Sequence, residues 1–242
     1  MECKIINSET INEYEFIKFQ HNDAVILFST AKNGINFNKN VKEGLLNLKK
    51  IEKHFDFQDV GYLNQIHSDL IFKFDGNTRD GDALITDKRN TAIGVFTADC
   101  VPVILVDTTS SVIAAIHSGW KGTKSMIVSK TIEKLKEDYG SKTNDIRVYI
   151  GPHIGGCCYK VSSELIEEFT HEEIYSNIKI SNNNNLDLEK CILAQLEEKN
   201  IKKENISTTN ICTACNKQYK LYSYRFSENK QGRMFSFVYL KQ

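Results

Sequence analysis

The sequence has only two prolines among its 242 residues, and its longest strongly apolar run, residues 101–106, is short. A membrane helix needs about 20 apolar residues, so no membrane span is predicted. Lys plus Arg and Asp plus Glu number 31 each. This zero net charge lacks the basic excess typical of proteins that bind nucleic acids or anionic membranes. Residues 1–7 do not have the basic and apolar regions of a secretory signal, so we expect a cytoplasmic protein.

Short runs rich in Val and Ile predict strands at 24–29, 59–74, 92–107, 112–117, 146–150 and 234–240. Amphipathic spacing predicts helices at 41–55, 123–139 and 186–199. Several consecutive strands have no helix between them, which favours mixed sheets with covering helices over a strictly parallel array. There is no internal repeat and no Pro-rich linker. We therefore expect a single α+β domain spanning residues 1–242.

Cysteines and aromatic residues also have predicted positions. The seven cysteines are odd in number, and with no secretory signal we do not expect disulfides; they are Cys3, Cys100, Cys157, Cys158, Cys191, Cys212 and Cys215. Four of them, at 157, 158, 212 and 215, are numerous enough for a structural zinc. Adjacent cysteines chelate one tetrahedral ion poorly, however, so we expect these four in the core as small hydrophobes. Five aromatic residues alternate as in a strand pair and are also expected in the core: Tyr222, Tyr224, Phe226, Phe235 and Phe237.

Three segments place polar residues next to apolar strands. His67, Cys100 and His117 lie on different segments, and three protein ligands leave a fourth zinc position for water. A buried cysteine with two hydrogen-bonded histidines would explain the same residues without a metal. Strand periodicity puts Gln65, His67 and Asp69 on one face, directed either to solvent or to a site.

The third of these segments, Ser118-Gly119-Trp120-Lys121-Gly122-Thr123, joins a predicted strand to a predicted helix. Its glycines allow close backbone approach, and the free N–H groups of a helix start favour an anion. Lys121 adds positive charge. The segment is therefore either a phosphate or carboxylate subsite or simply a tight turn.

Longer motifs in this order identify a family. The chain resembles the YfiH family (DUF152), also called the laccase-domain or polyphenol oxidoreductase family and now regarded as purine nucleoside phosphorylases. The matching motifs are Asn64-Gln65-Ile66-His67, Asp80-Gly81-Asp82-Ala83-Leu84-Ile85-Thr86, Thr97-Ala98-Asp99-Cys100-Val101-Pro102, His117-Ser118-Gly119-Trp120-Lys121-Gly122-Thr123, Ile150-Gly151-Pro152-His153-Ile154-Gly155-Gly156-Cys157-Cys158-Tyr159, Leu186-Asp187-Leu188, Cys212-Thr213, Ser223-Tyr224-Arg225 and Gly232-Arg233. Residues 1–58 add little to this resemblance.

The resemblance implies an α+β sandwich of mixed sheets, similar to a bacterial toxin deamidase. It also implies a metal site at His67, Cys100 and His117, holding zinc or, where copper is available, copper. The implied reactions are phosphorolysis of adenosine, inosine and methylthioadenosine, together with adenosine deamination. The implied partners are thus a purine nucleoside and phosphate, and we take a monomer as the default.

Site roles follow from these matches. Asp99 or Asp82 would transfer the proton as general acid and base; alternatively, Asp82 after Gly81 simply caps a turn. Five residues are assigned to phosphate or substrate binding: Lys121, Arg225, Arg233, Asn64 and Gln65. The family commonly has Arg at position 121, and Lys lacks its bidentate fork. A second Arg and an Asp-Gly pair are replaced here by Phe226-Ser227-Glu228-Asn229, so the predicted phosphate clamp has fewer arginines.

Three other functions remain open at this point. Cys100 could be a hydrolase nucleophile with His117 or His67 as its base. Some family members carry a peptidoglycan-editing label, which suggests action on a cell-wall precursor. Copper polyphenol oxidation fits poorly, because the chain has six histidines and no His-x-His pair for a three-copper cluster.

Overall fold

The structure, a computed structural model, describes residues 7–228 and 230–242. Cys3 and most of the N-terminal segment considered above lie outside the described residues. The strands are β1 (Asn7–Ile11), β2 (Tyr14–His21), β3 (Ala24–Ser29), β4 (Asp59–Gly61), β5 (Ile71–Lys73), β6 (Ala83–Thr86), β7 (Thr91–Thr97), β8 (Val101–Asp107), β9 (Val112–Ser118), β10 (Ile146–Ile150), β11 (Ser181–Asn182), β12 (Asn185–Leu186), β13 (Ile206–Thr208) and β14 (Met234–Leu240). The α-helices are α1 (Lys42–Phe55), α2 (Trp120–Lys124), α3 (Ile127–Tyr139), α4 (Ser163–Thr170) and α5 (Leu188–Glu198).

Two six-stranded sheets contain most of the strands. The first has the order β1-β2-β3-β14-β7-β4 and the second β13-β10-β8-β9-β6-β5. Strands β4 and β7, β5 and β6, and β10 and β13 pair in parallel, whereas the other pairs are antiparallel. Both sheets are therefore mixed. A short ribbon of β11 and β12 lies apart from them.

The two sheets pack face to face, and helices cover their outer faces. Phe28 of the first sheet and Ile104 of the second belong to one fully buried cluster between the sheets. Helix α1 packs on the outer face of the first sheet through Ile51. Helices α3 and α5 cover the outer face of the second sheet through Ile132 and Ile192. This arrangement confirms the α+β prediction of a sandwich of mixed sheets with covering helices. No helix in the described part of the chain has the length and apolar character of a membrane span.

Several predicted elements have the observed bounds: the strands predicted at 24–29, 146–150 and 234–240 coincide with β3, β10 and β14. The continuous strand predicted at 59–74 is wrong. Only β4 and β5 at its two ends are extended, and His67 between them has a positive φ of 60°. The backbone N–H groups of Ile66, His67 and Ser68 donate to the carboxylate of Asp82. The Asp82 side chain therefore accepts the backbone hydrogen bonds that a neighbouring strand would accept if residues 66–68 were part of a sheet.

The helix predicted at 123–139 is two helices. Met126 adopts a left-handed conformation with φ 62°, which separates α2 from α3. The predicted end at residue 139 is confirmed, and Gly140 after it has a φ of 67°, which suits a glycine after the last helical turn. The turn at Gly119, just before α2, lies close to His67 and Cys100.

Candidate active site

The polar segments meet at one end of the sandwich, where the chain crosses from the first sheet to the second between β7 and β8. Asp99 lies in this crossing with a positive φ of 92°. Its carboxylate accepts hydrogen bonds from the Thr213 hydroxyl at 2.6 Å and from the backbone N–H of Arg225 at 2.8 Å. Its carbonyl accepts from the N–H of Ile154 at 2.9 Å. These bonds fix the turn that presents Cys100.

His67, Cys100 and His117 lie together in the folded chain. His67 comes from the loop between β4 and β5, Cys100 from the crossing, and His117 from the end of β9. Their potential ligand atoms all lie within 4.8 Å of one another. Cys100 Sγ is 3.6 Å from His67 Nε2, and the two imidazole rings are perpendicular with centroids 4.8 Å apart. Two imidazoles and one thiolate form a donor set that suits a divalent transition metal.

Asp82 organises this group. Its carboxylate, 1% exposed, accepts hydrogen bonds from His117 Nδ1 at 2.7 Å, from the N–H groups of residues 66–68, and from the Ser68 hydroxyl at 2.6 Å. Burial works against its ionisation, but the hydrogen bonds from His117 and Ser68 hold the pKa of Asp82 below its usual value. An ionised carboxylate only accepts, so Nδ1 of His117 carries the proton and Nε2 is free to bind a metal.

Without a metal, Cys100 and His117 stabilise each other's charged forms. Burial opposes the thiolate, but the charge and hydrogen bond of His117, together with His67, lower the pKa of Cys100 to about 6. Burial also opposes the imidazolium, but Cys100 and Asp82 raise the pKa of His117 to about 9. A thiolate at neutral pH is the form that binds a metal or attacks as a nucleophile.

Gly119 leaves the space that these side chains occupy. A Cβ at this position would lie 2.7 Å from Cδ2 of His67 and 3.1 Å from Sγ of Cys100. Real Cβ contacts of 2.7 Å essentially never occur. A side chain at position 119 would therefore push His67 away from the other two groups.

A cavity of about 560 Å³ opens beside the three residues. It is lined by Asn38, Lys39, Asn40, Gln65, His67, Phe96, Ala98, Asp99, Cys100, His117, Trp120, Tyr159, Tyr224, Arg225 and Arg233. Its lining thus combines aromatic rings with three cationic side chains and one carboxylate. Residues 38–40 were not among the predicted site residues, because they belong to an irregular stretch without a recognisable motif.

Some residues predicted to bind substrate face the cavity and others do not. Arg225 and Arg233 line it, and their guanidinium groups lie over the Tyr159 and Tyr224 rings at 4.9 and 5.8 Å. Lys121 lies outside this lining, with an exposed side chain whose Nζ is 5.5 Å from the Trp120 ring centroid.

Asn64 and Gln65 form hydrogen bonds that hold the loop carrying His67 in place. Asn64 accepts a hydrogen bond from Lys39 Nζ at 2.5 Å and donates to Asp80 at 3.2 Å. The amide of Gln65 lines the cavity but pairs with both backbone groups of Phe96 at 2.7 Å. These bonds tie the loop to β7 and to the segment at Lys39.

The expected core positions of the other cysteines and aromatics are only partly correct. Phe235 and Phe237 are fully buried, whereas Tyr224 and Phe226 are 56% and 62% exposed, because residues 221–228 form turns rather than a strand. The cysteines at 157 and 215 are also exposed. Asn229, at the end of the segment that departs from the family, lies outside the described residues.

These features define a cavity at one end of an α+β sandwich, beside three side chains that could hold a metal ion. The sequence profile of the family described as Multi-copper polyphenol oxidoreductase laccase matches residues 28–241. The chain belongs to this family.

Relatives and solved structures match most of the chain. A Clostridium acetobutylicum protein named purine nucleoside phosphorylase is 49% identical over 238 residues, 98% of this chain and 100% of the relative. A purine nucleoside phosphorylase of Aquifex aeolicus is 34% identical over 88% of this chain and 97% of its own. The crystal structure of the Bacillus licheniformis hypothetical protein YfiH superposes with a TM-score of 0.87 at 27% identity, covering 97% of this chain and 99% of that one. YlmD from Geobacillus stearothermophilus shares the fold, with a TM-score of 0.87 at 22% identity over 98% of this chain and 99% of that one.

Proposed function

We propose that the chain is a zinc-dependent purine nucleoside phosphorylase that acts on adenosine, inosine and methylthioadenosine and also deaminates adenosine. The observation that carries this proposal is the cavity, in which His67, Cys100 and His117 lie beside aromatic rings and cationic side chains. Relatives that match nearly the whole chain carry the name purine nucleoside phosphorylase, which supports the same substrate class.

The spacing of the three residues supports zinc. Zn–S bonds of about 2.3 Å and Zn–N bonds of about 2.0–2.1 Å, arranged as a tetrahedron, separate sulfur and nitrogen by about 3.6 Å. The Cys100 Sγ to His67 Nε2 distance is 3.6 Å. With three protein ligands, the bound ion would act as a Lewis acid with one open position.

The residues of the chain would divide the remaining work. Arg225, Arg233 and Lys39 supply the positive charge that holds phosphate at the cavity wall. The exposed face of Tyr224 and the ring of Trp120 offer flat apolar surfaces for a purine. Because Arg233 lies 5.8 Å from the Tyr224 ring centroid, phosphate and purine would bind next to each other, as a reaction at the bond between ribose and base requires.

The acidic side chains have different surroundings. Asp99 lines the cavity and would be the group that holds a proton near the substrate. Asp82 is fully engaged by His117 and the loop, so we assign it to positioning, keeping the proton of His117 on Nδ1. Asp99 is the better candidate for general acid and base because it lines the cavity, whereas Asp82 does not.

Product analysis by mass spectrometry tests the proposal. Purified protein is given each nucleoside with and without phosphate, beside His67→Ala and a control, His171→Ala, which removes an exposed histidine at the end of α4. We expect adenine and ribose 1-phosphate from adenosine only with phosphate, and inosine without it. Both activities should disappear in His67→Ala and persist in His171→Ala. Intact nucleosides after incubation with zinc-loaded wild type would refute the proposal.

The thiolate of Cys100 favours a second candidate, a Cys–His hydrolase whose substrates could include cell-wall precursors. Such an enzyme would use Cys100 as nucleophile and His117 as base. It would lose activity on alkylation and keep it after chelation of metals. The zinc enzyme would show the opposite response to chelation.

A further inference from the structure

A second group of metal-binding side chains lies outside the cavity lining. The sulfur atoms of Cys157, Cys158, Cys212 and Cys215 all lie within 4.8 Å of one another. Cys157 Sγ and Cys215 Sγ are 3.5 Å apart. We propose that these four cysteines, as thiolates, bind one structural Zn²⁺ ion separate from the group at His67, Cys100 and His117.

The sulfur spacing fits a single ion. Four Zn–S bonds of about 2.3 Å in a tetrahedron place the sulfur atoms about 3.8 Å apart. In a four-iron cluster, each thiolate binds a different iron, so its sulfurs would lie farther apart than these. Binding releases the thiol protons to solvent and changes no oxidation state.

The backbone conformation allows two adjacent cysteines to bind the same ion. In an extended strand successive side chains point to opposite faces, but Cys157 and Cys158 lie in a turn. The N–H groups of Cys158 and Tyr159 both donate to the carbonyl of Gly155, at 2.9 and 3.0 Å. This tight turn brings both sulfurs to the same side. Cys212 and Cys215 lie in a second turn, with the spacing that metal-binding cysteine pairs use.

The two turns already have the contacts of a thiolate site. The N–H of Gly155 donates to Sγ of Cys212 at 3.3 Å, a bond that a thiolate accepts better than a thiol. A Cβ at position 155 would lie 3.3 Å from Sγ of Cys157, so a glycine suits the crowded position. The N–H of Thr213 donates to the carbonyl of His153 at 2.9 Å and joins the two turns directly.

The exposure of the sulfurs argues against simple core packing. Cys157 and Cys215 are exposed, and Cys158 and Cys212 are only partly buried. Cys191, by contrast, is fully buried in α5 and packs as an apolar side chain. An ion can therefore reach the four thiols from solvent.

The ion would stabilise one wall of the cavity. Thr213, between the two ligands of the second turn, donates to Asp99 at 2.6 Å. Tyr159, next to Cys158, lines the cavity beneath the guanidinium of Arg225. The zinc would thus hold in place both the carboxylate and the aromatic ring that face the substrate.

Cobalt substitution and metal analysis test this site on the full chain. Co²⁺ bound by four thiolates gives intense sulfur-to-metal charge-transfer bands. We compare wild type with Cys215→Ser, Cys100→Ser and, as a control for loss of an unrelated thiol, Cys191→Ala. We expect two equivalents of metal in wild type and in Cys191→Ala and one equivalent in Cys100→Ser, with four-thiolate bands in all three. Cys215→Ser should lose one equivalent and these bands.

Alkylation of the wild-type chain followed by peptide mass mapping gives an answer that does not depend on how the variants fold. Zinc should protect the cysteines at 157, 158, 212 and 215, and chelation should make them reactive. The proposal is wrong if these cysteines react equally with and without zinc, if they form a disulfide when excess zinc and a reductant are present, or if the four-thiolate bands survive in Cys215→Ser.

Discussion

Replacing Asp82 by asparagine should weaken metal binding while changing only one atom of the side chain. The carboxylate accepts from His117 on one oxygen, and from the N–H groups of Ile66 and Ser68 on the other. An amide can accept on one atom only. If its nitrogen faces Ser68, two backbone donors lose their acceptor. If it faces His117, Nδ1 must become the acceptor, and the proton moves to Nε2, which then cannot bind a metal.

The magnitude follows from the bonds that are lost. Hydrogen bonds to a charged group contribute about 1.5–3 kcal/mol each, so losing one or two should lower the free energy of unfolding by about 2–5 kcal/mol. Removing the carboxylate behind a histidine ligand lowers metal affinity by roughly 10- to 100-fold. We expect both effects in Asp82→Asn, because the same carboxylate holds the loop and orients His117.

The assay is competition for zinc against a chromophoric chelator, together with urea unfolding of the metal-free protein. Asp80→Asn is the matched control. Asp80 lies two residues before Asp82, and the substitution removes the same charge from an exposed side chain that bonds Asn64. Its zinc affinity should stay within about twofold of wild type, as expected for a surface change. Equal zinc affinity in Asp82→Asn and Asp80→Asn would refute the assignment of Asp82 to positioning.

Three further predictions address the cavity and the fold. Gly119→Ala should abolish zinc binding at the cavity, because its Cβ would meet Cδ2 of His67 at 2.7 Å. Metal analysis is done in a Cys215→Ser background, so that only the cavity site is counted. An unchanged ratio of zinc to protein in this background would contradict the prediction. Arg233→Ala should raise the KM for phosphate by roughly 10- to 100-fold, the equivalent of a charged hydrogen bond of about 1.5–3 kcal/mol. Lys121→Ala, which changes an exposed side chain, should leave this KM nearly unchanged. Equal effects of the two substitutions in steady-state kinetics would argue against a phosphate bound in the cavity. Burial opposes ionisation of Asp107, but the nearby Ser141 hydroxyl and hydrogen bonds from the backbone N–H groups of Thr109 and Ser110 hold its pKa below the usual value. Its contribution to stability is therefore present above about pH 4 and lost on acidification. Urea titrations should show a flatter acid limb in Asp107→Asn, and an identical limb would disprove the contribution.

That His67, Cys100 and His117 lie together could be predicted from the sequence, because each belongs to a long motif. These three side chains lie together even though residues 59–74 do not form the continuous strand that periodicity predicts. The motif around Asp82 was visible, but its function was not. Five hydrogen bonds from residues 66–68 and His117 converge on this carboxylate only after the loop has folded over β6. Local patterns carry no information about such non-local partners.

Cavity residues without a motif were missed for a related reason. Lys39 lies in an irregular segment before α1 and reaches the site through its bond to Asn64, which is distant in sequence. Tyr224 was expected in the core because it alternates with its aromatic neighbours. The chain turns at residues 224–226 instead, and the ring faces the cavity. Periodicity describes regular elements, and these residues lie between them.

The crossing between the sheets explains why one carboxylate can link the two proposed metal sites. Asp99 precedes the ligand Cys100 in the chain, and its oxygens bind Thr213 and the N–H of Arg225. Thr213 lies within the cysteine turn, whereas Arg225 lines the cavity. A shift of the cysteine turn would therefore move Asp99, and with it the strained turn that presents Cys100. An ion bound in the cysteine turn would restrict the movement of Asp99, the residue next to Cys100. It would do so without any contact between the ion and the substrate.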